Sequence, residues 1–173
     1  PETPRDRVAR CWDEVQAAAA DETPSCLLDA AFALAPEVLA PRFAELDERQ
    51  RKRFREALGR AIRRDLASYA PHALELRATN ADGSLVDLRY ALRGRELTIR
   101  FASRRLIDVL WDGSSAKRHY RRRCQALLNG YSFAYLIGEL EDHGFVVLED
   151  FEGHPLRRDY LEPPLPYTWP HGG

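Results

Sequence analysis

The stretch LVDLRYALRGRELTIRFASRRLIDVLW, Leu85–Trp111, decides the fold class. Apolar and polar residues alternate along it with a period of two, the mark of strands that bury one face and wet the other. Leu85–Leu92, Glu96–Ala102 and Leu106–Trp111 read as three such strands, and His72–Ala78 upstream reads as a fourth. Asp82-Gly83 and Arg93-Gly94 stand where tight hairpin turns belong. The expectation is a four-stranded antiparallel meander. Leu74, Leu76, Val86, Leu88, Tyr90, Leu97, Ile99 and Phe101 share its apolar face, and Glu75, Arg77, Asp87, Arg89, Thr98 and Arg100 share the wet one.

Helical periodicity flanks the meander on both sides. Val8, Cys11, Trp12 and Val15 fall at i, i+3, i+4 and i+7 of a first helix that fades into the alanine run before Asp21. Cys26–Ala35 reads as a second helix interrupted by Pro36, with another turn or two over Glu37–Phe43. Asp47 and Gln50 form a capping-box pattern ahead of a long helix with a stripe of Phe54, Leu58, Ile62, Leu66 and Tyr69, stopped by Pro71. After the sheet, Ser115–Leu128 and Ser132–His143 read as two more helices, closed by Asn129-Gly130 and by Gly144. Helices, then a meander with one apolar face, then closing helices, predict an α+β roll of the nuclear-transport-factor type, with helices packed across one face of the sheet. Residues 1–145 form the expected domain, and the proline-rich segment 146–173 reads as a strap or tail.

Composition narrows the function classes. With Lys plus Arg at 26 against Asp plus Glu at 27, the net charge is −1, so bulk electrostatics supply no reason to bind nucleic acid or an anionic bilayer. No apolar run is long enough to span a membrane as a helix. Cys11, Cys26 and Cys124 lack metal-ligand spacing and leave two readings open: one bridge with a free thiol, or three buried small hydrophobes. The histidines, His72, His119, His143, His154 and His171, place no pair on one helical turn, and neither a metal nor a cofactor is expected.

The junction between the last strand and its helix carries a family resemblance. RLIDVLWDG (Arg105–Gly113) runs directly into SSAKRHYRRRCQALL (Ser114–Leu128). Asp108, Gly113, Ser115, Tyr120 and Arg121 stand where the MlaC or toluene-tolerance family places an Asp in an apolar strand, then a Gly, a Ser and a Tyr-Arg pair. Upstream, Phe32, Val38-Leu39, Asp47, Gln50-Arg51, Phe54, Leu58, Leu66 and Tyr69 are similar to that family's spacing of hydrophobes. The chain departs from the pattern at Arg104, Ala40 and Ser114, and in its proline-rich tail.

The resemblance implies a periplasmic carrier, its signal peptide removed ahead of Pro1, that shuttles lipid for a membrane-bound ABC transporter complex without a chemical step. Phospholipid is the first expected ligand, and hopanoid-type lipids are associated with related members. The apolar sheet face is either solid core or the wall of a cavity, and the resemblance implies the cavity. Its expected lining is Leu74, Leu76, Val86, Leu88, Tyr90, Leu97, Ile99 and Phe101, with Phe54, Leu58, Tyr120 and Leu136 from the helices. Each methylene sheltered there is worth about 0.8 kcal/mol.

Other readings of the same residues remain. Asp108 as a base with Tyr120 as a hydroxyl donor would suit a small roll-type enzyme, whereas a strand Asp paired with a neighbouring Arg is structural. Ser115 reads as an N-cap. The runs Arg49–Arg53 and Arg121–Arg123 read as solvated helix faces, or as contacts for phosphate head groups or an acidic partner. A cavity-free interaction module is the third reading.

Overall fold

The computed structural model describes residues 1–142. The segment 146–173 lies outside them, as do His143, Gly144 and Phe145. In chain order come α1 (Pro4–Ala17), α2 (Ser25–Val38), a 3-10 turn (Arg42–Glu45), α3 (Glu48–Ala67), β1 (Glu75–Asp82), β2 (Leu85–Leu92), β3 (Arg95–Ala102), β4 (Arg105–Trp111), β5 (Ser114–Ser115), α4 (Ala116–Gly130) and α5 (Phe133–Asp142). The class is α+β, with the antiparallel strands in sequential order β1-β2-β3-β4-β5.

The meander follows the alternation in its centre. Val86 faces Phe101, Leu88 faces Ile99 and Tyr90 faces Leu97, so the apolar residues of β2 and β3 pair directly across the ladder. Leu97 in turn faces Trp111, and Ile99 faces Val109. A register shift between Arg100 and Phe101 leaves Ile107 unopposed and brings Leu106 opposite Phe101, onto the same side as Val109. On the wet face Arg100 clamps Asp87 through two bonds of 2.8 and 2.9 Å.

Three details differ from the expectation. First, β1 runs Glu75–Asp82 and not His72–Ala78; its second half, Thr79 to Asp82, is an exposed edge, so backbone pairing with β2 rather than apolar burial extends it. The turn accordingly falls at Gly83-Ser84, one residue later than expected. Second, the sheet has five strands, because Asp112 and Gly113 both take positive φ and fold Ser114–Ser115 back onto Leu110–Trp111. Third, α2 continues through Pro36 to Val38. Proline there deletes one N–H only a residue or two from the helix end, where the ladder is closing anyway.

Capping explains where the helices start. Asp47 Oδ1 accepts from the Gln50 N–H and Gln50 Oε1 from the Asp47 N–H, the expected box at the head of α3. Thr3 and Asp6 make a second box on α1. Ser115 Oγ accepts from the Arg118 N–H at 3.0 Å, capping α4. Packing is organised around α2, which meets α1, α3, α4 and β4, while α5 seals α3 and α4 from the far side. Tyr69 leaves the helical stripe, since α3 ends at Ala67, and packs edge-on against Trp111 with centroids 5.0 Å apart.

Candidate functional site

A pocket of about 350 Å³ lies between the apolar face of β3 and β4 and the helices α1, α2, α3 and α4. Its walls follow from the periodicities already described. α1 contributes Val8, Trp12 and Val15, α2 contributes Leu27, Ala30, Ala33 and Leu34, and the sheet contributes Leu97, Ile99, Phe101, Leu106 and Val109. The small side chains of Ala30 and Ala33 leave space on α2 where larger residues would close it. One rim is charged, with Arg7, Arg10, Arg104 and Arg105 together with Asp29.

Of the residues expected to line a cavity, Leu74, Leu97, Ile99, Phe101 and Tyr120 lie on the pocket wall. The others are elsewhere. Phe54, Leu58 and Leu136 are fully buried in the filled core among the helices, with the Phe54 ring edge-on to Phe43. Leu88 and Tyr90 are buried on β2, and Leu76 and Val86 are half-buried on β1 and β2, away from the opening. Membership of the apolar face therefore did not guarantee membership of the pocket.

Within the apolar wall sits one polar pair. Tyr120 of α4 donates its hydroxyl to Asp65 Oδ2 of α3 at 2.6 Å, and both residues line the pocket. Asp65 is 8% exposed and Tyr120 is 4% exposed. Burial first, then the neighbouring Asp65 charge and the bond to it, push the Tyr120 phenol well above its ordinary value of 10.0, so it is a neutral donor at any physiological pH. Asp65 was not among the expected site residues. Its place beside Ile62 and Leu66 on α3 is the sequence signal that could have found it, because an acid adjoining an apolar stripe is half committed to the interior.

Asp108 and Tyr120 do not share this site. Asp108 stands opposite Arg100 in the register, on the face that carries Asp87, and is absent from the pocket wall. Its Oδ2 accepts from the Ser115 hydroxyl at 2.5 Å, and its Oδ1 accepts from the N–H groups of Val109 and Lys117 at 2.8 and 3.1 Å. The Asp108 carboxylate thus pins the β4–β5–α4 junction, the same residues that carry the family resemblance.

Two cysteines flank the pocket as a disulfide, Cys11 on α1 with Cys26 on α2. A Glu14 carboxylate oxygen lies within 4.8 Å of both sulfurs. Joined to each other, the sulfurs offer no thiolate to a metal ion. Cys124 is free and buried, and burial raises its thiol well out of reactive range. α1 is further fixed by the Trp12 Nε1–H, which donates to the His72 carbonyl at 2.8 Å, and by Arg7, which donates to the Arg104 carbonyl at 2.5 Å.

The arginine runs are largely engaged with the fold. Arg51 donates to the Phe43 and Ala44 carbonyls, Arg121 to the Glu37 carbonyl, and Arg123 is buried with Glu139 3.9 Å away. Among the described residues no helix is long and apolar enough to cross a membrane. No protein-family model matches the chain, and no curated protein sequence matches it.

Proposed function

We propose that this chain is a lipid carrier: a roll of the nuclear-transport-factor type whose sheet and helices enclose an apolar ligand cavity, working in the periplasm beside a membrane-bound transporter complex. The observation that carries the reading is the pocket itself, whose wall is built from Val8, Leu34, Ile99, Val109 and their neighbours with the Asp65–Tyr120 pair as a small polar island. Such a wall suits an acyl chain, which gains about 0.8 kcal/mol per methylene withdrawn from water and needs few polar contacts to stay. The Cys11–Cys26 bridge supports an oxidising compartment. The resemblance around Asp108, Gly113, Ser115, Tyr120 and Arg121 to the MlaC or toluene-tolerance family adds the transporter partner.

Native mass spectrometry of the purified full chain, followed by organic extraction, tests the carrier. A bound species of lipid mass that is lost on denaturation is the expected result. An apo mass that stays unchanged after incubation with phospholipid vesicles and with single-chain lipids would end the proposal.

A further inference from the structure

Resting on the carrier reading and deepening it, we propose that the ligand is an apolar molecule bearing a hydroxyl group, which donates a hydrogen bond to the Asp65 carboxylate on the pocket wall. Placement is the first argument. Ile62, Asp65 and Leu66 fall at i, i+3 and i+4 of α3, one face of the helix, and all three line the pocket. Ala116 and Tyr120 stand one turn apart on α4 and line it too. The carboxylate and the phenol are thus set among apolar side chains, on the surface that a ligand would touch. Both residues are otherwise buried. Helix packing alone does not call for such a pair. A well-packed apolar pair commonly holds two helices together as firmly, without the cost of withdrawing a carboxylate from water.

The bond within the pair sets the chemistry. Tyr120 gives its proton to Asp65 Oδ2 at 2.6 Å, so the carboxylate is the acceptor of the two. An ionised carboxylate has lone pairs for about four donors, and a ligand hydroxyl can therefore add to the Tyr120 bond without displacing it. A hydrogen bond to a charged acceptor is the stronger kind, and an apolar surround strengthens it further. A ligand oxygen that only accepts, such as that of an ether, is treated differently. It meets a carboxylate with no proton to give and a phenol whose proton is already given to Asp65, and it loses its hydration without return. The wall thus favours a donor. Among donors, a neutral hydroxyl surrenders its hydration far more cheaply than an ammonium ion does.

Displacement of a fluorescent long-chain alcohol from the full chain by decanol, by its methyl ether 1-methoxydecane and by decylamine tests this. The expected result is that decanol binds most tightly of the three, ahead of the ether even though the ether is the more apolar molecule. Asp65→Asn keeps the side chain's shape and an acceptor for Tyr120 but adds an N–H donor to the wall. The ratio of alcohol to ether affinity should fall at least about tenfold in that variant, with the ether gaining in absolute terms, which a merely damaged fold would not produce. Should Asp65→Asn fail to fold, the Asp65→Leu/Tyr120→Phe double variant, which removes both polar partners at once, should show the same fall in the ratio. Ether binding as tight as alcohol in the wild type, or a ratio unchanged in the variants, overturns the hydroxyl assignment and leaves the carrier standing. Decylamine binding more tightly than decanol overturns it in favour of an ammonium ligand. Failure of the probe and of every competitor to bind overturns the carrier and the hydroxyl assignment together.

Discussion

The Tyr120 hydroxyl and Asp65 Oδ2 meet at 2.6 Å, a hydrogen bond that ties α4 to α3 behind an apolar pocket. Both groups are withdrawn from water, so removing the donor leaves a buried carboxylate with one partner fewer. Tyr120→Phe is expected to cost about 1–3 kcal/mol, read by urea denaturation with an unchanged m-value. Because the folded-state pKa of Tyr120 is raised, its contribution is fully present below pH 10, the value of an unfolded tyrosine, and is lost as pH climbs above it. The wild type should therefore destabilise above pH 10 more steeply than Tyr120→Phe. Parallel alkaline curves for the two proteins would count against this account of the pair.

His119 supplies the acid-side counterpart. It is 4% exposed, and burial, reinforced by the Arg122 and Arg123 charges, lowers its pKa from 6.5 to about 4. A neutral buried imidazole in the fold and a charged one in the unfolded chain mean that stability is full above pH 6.5 and falls as pH drops through the window to 4. The displacement corresponds to on the order of 3 kcal/mol at the low end. Thermal melts between pH 4 and 7 should show this slope, and His119→Gln should flatten it. A slope identical in the variant would assign the acid sensitivity to other groups.

The elements legible in the sequence are those whose cause is local. Arg93-Gly94 announced its hairpin, since a glycine that accepts φ of 77° is what such a turn needs. The Asp47–Gln50 box and the Ser115 cap announced the starts of their helices for the same reason. The Ser103-Arg104 turn carries no such mark, because both residues adopt positive φ, 49° and 67°, against their own preference, held there by the pairing of β3 with β4. The pocket was harder still. Which part of the sheet's apolar face lines an opening depends on where α1, α2, α3 and α4 come to rest. Leu136 and Ile99 look alike as sequence, but one is fully buried in the core between helices and the other lines the pocket. The Asp65–Tyr120 pair joins residues 55 positions apart, beyond any local pattern.

The Cys11–Cys26 bridge closes a loop with a sequence separation of 15, for which chain entropy gives about 3 kcal/mol. Reduction should lower the melting temperature by roughly 6–12 °C in a chain of this size. Thiol titration gives a second reading. The native protein should show no fast-reacting thiol, the denatured protein one, from Cys124, and the denatured reduced protein three. Two fast thiols in the native protein would mean that the bridge is open.

Filling the pocket separates its role from that of the core around it. Ala33 of α2 lines the opening and is half-buried, so Ala33→Phe directs a ring into the space with little to displace. The fold should keep its stability to within about 1 kcal/mol, because added apolar contact offsets the ring's lost freedom, while bound lipid disappears from native mass spectra. Leu136→Ala makes the opposite change. It cuts a fully buried side chain out of the filled core between α5 and its neighbours, and should cost about 2–5 kcal/mol while leaving the pocket wall intact. The two variants together form the test: ligand lost with stability kept in the first, stability lost with ligand kept in the second. If Ala33→Phe still carries lipid at wild-type stoichiometry, the chain binds it somewhere other than between the sheet and α2.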